Sequence, residues 1–162
     1  MRLAGIIANS VVDGPGVRFV VFAQGCPHHC RGCHNPETWD PQGGREMTVK
    51  EVFKRLKKVR KHVRGLTLSG GEPFLQTVEL ASLAWEAKKL ELDVVTYTGF
   101  TYEELLDSDL PGGQDLLAVT DILVDGPFIS EYKDIGLVFR GSANQRVIDL
   151  AATREQGHIM LF

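Results

Sequence analysis

Short runs of β-branched and aromatic residues alternate with amphipathic segments along this chain, and that alternation constrains the fold most. Strands are predicted at 3–8, 17–23, 66–69, 93–98 and 122–124, with weaker candidates at 136–140 and 146–150. Helices are predicted at 49–63, at about 80–90 and in a short segment from Thr101. Because strands separated by helices form right-handed crossover units, the pattern predicts an α/β fold with a mostly parallel sheet, either open or curled into part of a barrel.

Length and composition limit the classes of protein to consider. We expect the 162 residues to form one domain, 1–162, with a core of ordinary size. A formal net charge of −3 implies no broad basic surface, so no nucleic acid partner is expected, and the Lys/Arg face of helix 49–63 is interpreted as solvated. The longest apolar runs fall short of the ~18 residues that cross a bilayer, and no export signal is recognisable. We therefore expect a cytoplasmic protein that does not bind a membrane.

All three cysteines lie in one eight-residue window, Cys26, Cys30 and Cys33, directly after the predicted strand 17–23. A disulfide framework needs an even number of cysteines spread over the chain, so this cluster indicates a metal site. Zinc would need a histidine as its fourth ligand, and the pattern from Cys30 to His34 also matches c-type haem attachment. A [4Fe-4S] cluster held by three thiolates would leave one iron open to a substrate or cofactor.

The histidines available as a fourth zinc ligand are His28, His29, His34, His62 and His158.

Other polar and glycine-rich elements follow predicted strands in the same way. They are Ser69-Gly-Gly-Glu-Pro73, Thr98-Gly99 and Asp125-Gly126. In parallel α/β folds the carboxyl ends of the strands meet at one edge, so we expect these elements beside the cysteine loop. Paired glycines let the backbone approach a ligand closely, and the Glu72 carboxylate complements a cation.

The cysteine spacing together with the Gly-Gly-Glu-Pro element resembles the radical S-adenosylmethionine (SAM) superfamily. Within it, residues about 10–149 resemble the activating proteins of anaerobic (class III) ribonucleoside-triphosphate reductase. The most discriminating matches are Leu123-Val-Asp-Gly-Pro-Phe128 and Arg140-Gly-Ser-Ala-Asn-Gln145. The resemblance implies an incomplete (βα) barrel of mostly parallel strands, of radical-SAM type.

The resemblance also implies cofactors and their residues. Cys26, Cys30 and Cys33 would bind a [4Fe-4S] cluster, and SAM would be bound by Gly32, Cys33, His34, Gly70, Gly71 and Glu72. Reductive cleavage of SAM would generate a 5′-deoxyadenosyl radical that takes a hydrogen atom from a glycine of the reductase, with no side chain acting as acid or base. Electrons would come from a low-potential donor such as flavodoxin or ferredoxin.

Two positions depart from the superfamily pattern, since Gly32 replaces a common aromatic residue and His34 a common tyrosine.

Alternatives that stay open are action on another glycyl radical enzyme, action on a small molecule as in deazapurine synthases, and a non-catalytic zinc or cluster-binding module. Arg140 is a candidate for the SAM carboxylate or for the partner, with a structural turn as the competing interpretation. Asp125 is a candidate polar contact or the start of an Asx turn.

Overall fold

The computed structural model describes residues 1–162 and contains seven strands and five α-helices. The strands are β1 (Arg2–Ser10), β2 (Arg18–Ala23), β3 (Arg45–Glu46), β4 (Gly65–Gly70), β5 (Asp93–Tyr97), β6 (Ile122–Asp125) and β7 (Arg146–Asp149). The helices are α1 (Val49–Val59), α2 (Thr77–Lys88), α3 (Tyr102–Leu106), α4 (Gly113–Val119) and α5 (Leu150–Gln156). No helix is both long enough and apolar enough to pass through a bilayer.

One sheet contains all seven strands, in the order β3-β1-β2-β4-β5-β6-β7. β2, β4, β5 and β6 pair in parallel, whereas β1 and β7 run in the opposite direction. The predicted α/β class with mostly parallel strands is therefore confirmed. The strands β3 and β7 form the two edges of the sheet, so the barrel is not closed.

The helices cover one face of the sheet and leave the other face for a cavity. α1, α2 and α4 pack over a buried apolar cluster that includes Leu66, Leu68 and Val94. Side chains of a strand alternate between faces, so Val95 points the other way and joins a smaller cluster with Ile122. The parallel register of β2 and β4 places their last residues, Ala23 and Gly70, side by side at the same end of the sheet.

A buried arginine holds the opposite ends of the parallel strands together. Arg18 on β2 is fully buried and donates to the Leu66 carbonyl (2.7 Å), the Thr67 hydroxyl (3.0 Å) and the Asp93 carboxylate on β5. Burial lowers the pKa of Arg18, and Asp93 opposes that change. Arg18 therefore joins β2, β4 and β5 at their amino ends, the ends away from the cavity, and holds the three strands in register.

Two helix starts are confirmed, but one helix end is not. Thr48 caps α1 and Thr101 caps α3, each in a reciprocal capping box as predicted. α1 ends at Val59, not at residue 63. The apolar spacing misled the prediction because Val63 is buried from a turn after the helix, where it continues the same core-facing side.

One strand prediction needs correction, and the structure adds three elements that the sequence pattern does not predict. The candidate strand 146–150 is confirmed as β7, but 136–140 is a partly buried loop, and Phe139 adopts a φ of 61° that a strand does not allow. The sequence does not predict α4, because the helix begins at Gly113 directly after Gly112 (φ 75°), and paired glycines are typical of a turn. The sequence pattern also missed α5 and the two-residue β3.

Candidate functional site

A cavity of about 360 Å³ opens at the carboxyl ends of the parallel strands, on the face without helices. Its walls come from the loops that follow β2, β4, β5 and β6 and from the segment after β1. The cavity therefore lies where a parallel sheet generally binds its ligands. The residues that line it include Asp13, Cys26, Cys30, Cys33, His34, Ser69, Gly70, Gly71, Tyr97, Thr98, Gly99, Phe128 and Arg140.

Backbone hydrogen bonds join the two ends of the cysteine loop and link the loop to the turn after β4. The N–H of Gly25 donates to the Thr38 carbonyl (2.7 Å), and the N–H of Cys26 donates to the Trp39 carbonyl (3.3 Å). The N–H of Glu72 in turn donates to the Gly25 carbonyl (2.8 Å). These bonds fix both ends of the loop, whose one regular element is a short 3-10 helix at Pro36–Thr38.

The three thiols are free, half-buried and all line the cavity. Burial raises the pKa of the Cys26 thiol above its usual range, so this sulfur stays protonated until a metal replaces the proton. The Asn35 N–H donates to Cys33 Sγ at 3.4 Å. No three His, Cys, Asp or Glu side chains converge as ligands of a single ion. Each thiolate of a [4Fe-4S] cluster binds a different iron, and three separate thiols around one cavity fit that requirement.

The glycines after β4 bring backbone to the cavity wall. Gly70 has a φ of 98°, which disfavours any other residue, and both Gly70 and Gly71 line the cavity. A Cβ at Gly71 would collide with the carbonyl of Gly25 in the cysteine loop. Close contact between the two loops thus requires glycine here.

Glu72 connects three loops from a fully buried position. Its carboxylate accepts from the N–H groups of Phe74 (2.9 Å) and Gly99 (2.8 Å) and from the Thr98 hydroxyl (3.0 Å). Nε2 of His28, in the cysteine loop, lies 2.9 Å from the same carboxylate. The His28 ring also packs edge-on against Phe100, with 4.6 Å between centroids. Glu72 therefore joins the turn after β4 to the turn after β5 and to the cysteine loop.

The segment Arg140–Gln145 builds the outer wall. Gln145 Oε1 accepts from the N–H groups of Gly141 (2.9 Å) and Ser142 (3.2 Å), and Gln145 Nε2 donates to the Gly126 carbonyl (3.0 Å). Arg140 donates to the Gln145 carbonyl at 2.6 Å and still lines the cavity. The motif is thus a structural turn that holds a cation at the cavity wall.

Arg140 and Asp13 are the only Arg, Lys, Asp or Glu residues that line the cavity. Tyr97 also lines the cavity, and burial raises the pKa of its phenol well above the usual range. Its hydroxyl therefore stays protonated and can donate a hydrogen bond. A zwitterionic ligand would find one group of each sign here.

The structure places most of the site residues predicted from sequence at the cavity. Cys26, Cys30, Cys33, His34, Gly70 and Gly71 line it. Gly32 lies behind the wall, next to Phe128, whose ring also packs against His34 with 5.3 Å between centroids. Glu72 lies behind the wall as well, with its oxygens bonded to the protein.

Some residues of the site carried no clear sequence signal. The sequence suggests His28 only as a zinc ligand, yet His28 contacts Glu72. Tyr97 precedes the Thr98-Gly99 element, and strand alternation alone would have directed it to the face without helices. Asp125, a candidate for a polar contact, is buried and pairs with Arg146 while accepting from the Tyr102 N–H (2.7 Å).

Comparison with known proteins decides the family. A sequence model described as a 4Fe-4S single cluster domain matches residues 12–148. An anaerobic ribonucleoside-triphosphate reductase-activating protein of Vibrio cholerae is 41% identical over 143 residues, which cover 83% of this chain and 89% of that protein. This chain belongs to the family of anaerobic ribonucleoside-triphosphate reductase-activating proteins.

Two further members of the activating-protein family agree. The protein of Escherichia coli K12 is 32% identical over 148 residues, 85% of this chain and 91% of its own length. The protein of Enterobacteria phage T4 is 35% identical over 143 residues, 84% of this chain and 86% of its own length. The resemblance stated from the motifs is confirmed, and the 4Fe-4S domain favours the predicted cluster over the zinc and haem alternatives.

Proposed function

We propose that this chain is an activase that generates a glycyl radical on an anaerobic ribonucleoside-triphosphate reductase. Three cysteines and the Ser69–Pro73 turn meet at one cavity in a member of the activating-protein family, and this observation carries the proposal. When bound, a [4Fe-4S] cluster and SAM supply a 5′-deoxyadenosyl radical that takes a hydrogen atom from a glycine Cα. We assign the activity to a single domain, residues 1–162, acting in the cytoplasm.

The thiolates of Cys26, Cys30 and Cys33 hold the cluster in this proposal. Cluster binding displaces the proton of the Cys26 thiol, whose pKa burial raises. The hydrogen bond from Asn35 N–H to Cys33 Sγ contributes to the potential, because hydrogen bonds to cluster sulfurs are one of its determinants. A low-potential donor such as flavodoxin or ferredoxin supplies the electron.

The residues proposed for SAM divide into two groups. Gly70, Gly71, Cys33 and His34 line the cavity and can touch the ligand directly. Glu72 and Gly32 shape the walls from behind, with Glu72 fixing the carbonyls and N–H groups of the loops around it. The protein orients the ligand and excludes water, while the cofactors supply the reactive group.

The open sheet supports an incomplete (βα) barrel of radical-SAM type. A protein substrate has to bring a backbone segment to the cavity. Because β3 and β7 do not pair with each other, the sheet stays open on one side, and a segment of the reductase can enter there. Exposed apolar side chains adjoin the lining residues there, with Val12 at 72% and Val138 at 66% exposure. These side chains can bury against an incoming segment of the reductase.

The test uses protein reconstituted anaerobically with iron and sulfide. We expect about four irons per chain, formation of 5′-deoxyadenosine from SAM in the presence of reductant, and a glycyl-radical EPR doublet on the reductase only when both proteins and SAM are mixed. Cys30→Ala should abolish all three signals, whereas the control Ser82→Ala, on the solvent side of α2, should keep them.

Other outcomes would contradict the proposal. One zinc per chain without visible absorption would identify a structural metal module. Cleavage of SAM without a radical on the reductase would direct attention to another glycyl radical enzyme or to a small molecule. Retention of cluster and activity through aerobic purification would argue against an open iron site.

A further inference from the structure

The two most discriminating sequence motifs meet at one aromatic ring. Phe128 ends the segment Leu123–Phe128, which includes the last strand of the parallel group, and Gly141 lies in the segment Arg140–Gln145. A Cβ at Gly141 would lie 3.1 and 3.2 Å from two carbons of the Phe128 ring, which is closer than ordinary van der Waals contact. A side chain at position 141 would therefore press on the ring.

The same ring reaches the cysteine loop. A Cβ at Gly32, the residue before Cys33, would lie 3.5 Å from the Phe128 ring, and the φ of 77° at this position favours glycine. The ring of His34, the residue after Cys33, packs against Phe128 with 5.3 Å between centroids. Gly32 stands where the superfamily pattern has an aromatic residue, and Phe128 brings an aromatic ring next to this position from a different loop.

Hydrogen bonds hold the backbone on both sides of Phe128. Asn144 Nδ2 donates to the Pro127 carbonyl (2.8 Å), and the N–H of Ile129 donates to the Ser142 hydroxyl (3.2 Å). Because these bonds fix the residues before and after Phe128, and the two glycines leave the ring one narrow space, the side chain has little freedom to lose when a ligand binds. A binding surface that is ordered in advance gains affinity for this reason.

Phe128 is half-buried and lines the cavity, so part of its ring is open to a ligand. An ordered aromatic surface of this kind favours a flat partner, because stacked rings gain both dispersion energy and burial of apolar surface. Two other aromatic residues of the cavity are less suited to stacking. Tyr97 carries a hydroxyl that needs a hydrogen-bond partner, and Phe139 lies in a segment, 131–140, whose residues are mostly exposed.

We propose that Phe128 is the surface on which the adenine of SAM stacks. The amino-acid end of SAM is charged and matches Asp13, Arg140 and the glycine turn after β4. The adenine is flat and uncharged, and the aromatic corner formed by Phe128 and His34 is the part of the cavity that matches it. This assignment rests on the proposed function, because it takes SAM as the ligand of the cavity.

Stacking on Phe128 gives the ligand a second fixed end. The charged groups of the cavity hold the amino acid, the ring holds the base, and the sulfonium of SAM lies between these two parts of the molecule. A ligand held at both ends has fewer orientations of its sulfonium relative to the cysteine loop, which favours productive alignment. Phe128 therefore positions the ligand and takes no part in bond cleavage.

The test is the affinity of the cluster-loaded protein for SAM and for S-methylmethionine, measured by equilibrium dialysis. S-methylmethionine carries the sulfonium, amino and carboxylate groups of SAM but no adenosine. Phe128→Leu keeps an apolar side chain and should weaken SAM binding about tenfold, with the affinity for S-methylmethionine unchanged. Phe128→Tyr keeps the ring and should retain the parental affinity for both ligands.

Phe53→Leu is the matched control. Phe53 is also half-buried, but it packs against the core from α1, away from the cavity, so its replacement should leave SAM affinity at the parental value. Iron content and melting temperature are measured for every variant, which identifies a loss that comes from misfolding. Equal losses for SAM and S-methylmethionine, or parental SAM affinity in Phe128→Leu at full iron content, would overturn the proposal.

A second measurement needs no variant. An 8-azido analogue of SAM carries a photoreactive group on its adenine, and illumination should attach it to Phe128, His34 or their neighbours in the parent protein, as located by mass spectrometry. Labelling confined to residues away from this corner would refute the stacking contact. Failure of the proposed function is distinguishable, since a protein that binds SAM on Phe128 without forming a radical on the reductase would retain the contact and lose the activase assignment.

Discussion

Replacing Glu72 tests whether this carboxylate supports the site from behind. In the structure it is fully buried and accepts from two backbone N–H groups, those of Phe74 and Gly99. Glu72→Ala leaves both donors without an acceptor, at about 1–3 kcal/mol for each unsatisfied group, so the loss of stability should be about 2–6 kcal/mol. Glu72→Gln keeps one oxygen and should lose about 1–3 kcal/mol, because its amide presents a donor to another donor.

Both losses are measurable in a chain of this size. A domain of 150–250 residues melts about 2–4 °C lower for each kcal/mol lost. Thermal melts and urea titrations of the anaerobic, reduced protein should therefore rank Glu72→Ala below Glu72→Gln and both below the parent. The control is Glu79→Gln, which removes an exposed carboxylate from α2 and should change stability by less than about 0.5 kcal/mol.

The same variants separate two roles for Glu72. If the carboxylate acts only through the loops, stability and cluster retention fall together, and SAM affinity falls in proportion to cluster content. A Glu72→Gln protein with parental stability and full cluster but weak SAM binding would refute the structural reasoning. In that case the carboxylate would have to leave its four internal donors to reach the ligand.

Three further predictions concern other parts of the site. Gly71→Ala should reduce cluster incorporation, because its Cβ meets the Gly25 carbonyl, whereas Gly5→Ala has open space and should retain the parental iron content. The hydrogen bond from Arg146 lowers the pKa of Glu103 to about 2. The pair therefore stabilises the fold above about pH 4.5 and loses its effect as the pH falls towards 2. Arg146→Gln should flatten the dependence of the free energy of unfolding on pH between about 2 and 4.5, measured by urea titrations. Arg140→Met should weaken SAM binding about tenfold and leave decarboxylated SAM unaffected in equilibrium dialysis, and equal losses for both ligands would argue against a contact with the carboxylate.

Local sequence signals located the strands and the helix starts well. Capping boxes and alternating apolar residues depend on contacts within a few residues, so Thr48 and Thr101 marked their helices correctly. The helix end after Val59 and the loop at 136–140 could not be located in the same way. Val63 continues the core from outside the helix, and Phe139 in the loop adopts a left-handed φ of 61°, which its residue type does not reveal.

The sequence by itself determined the family and the cysteine spacing, because both depend on the order of residues along the chain. Only the tertiary structure decided which groups meet at the cavity. It turned Glu72 away from the cavity towards four donors, three of them in two other loops, and it brought Tyr97, Asp13 and Arg140 to the same cavity. The physical reason is that a buried carboxylate must find its hydrogen-bond partners, and those partners are separated from it in sequence by up to 44 residues.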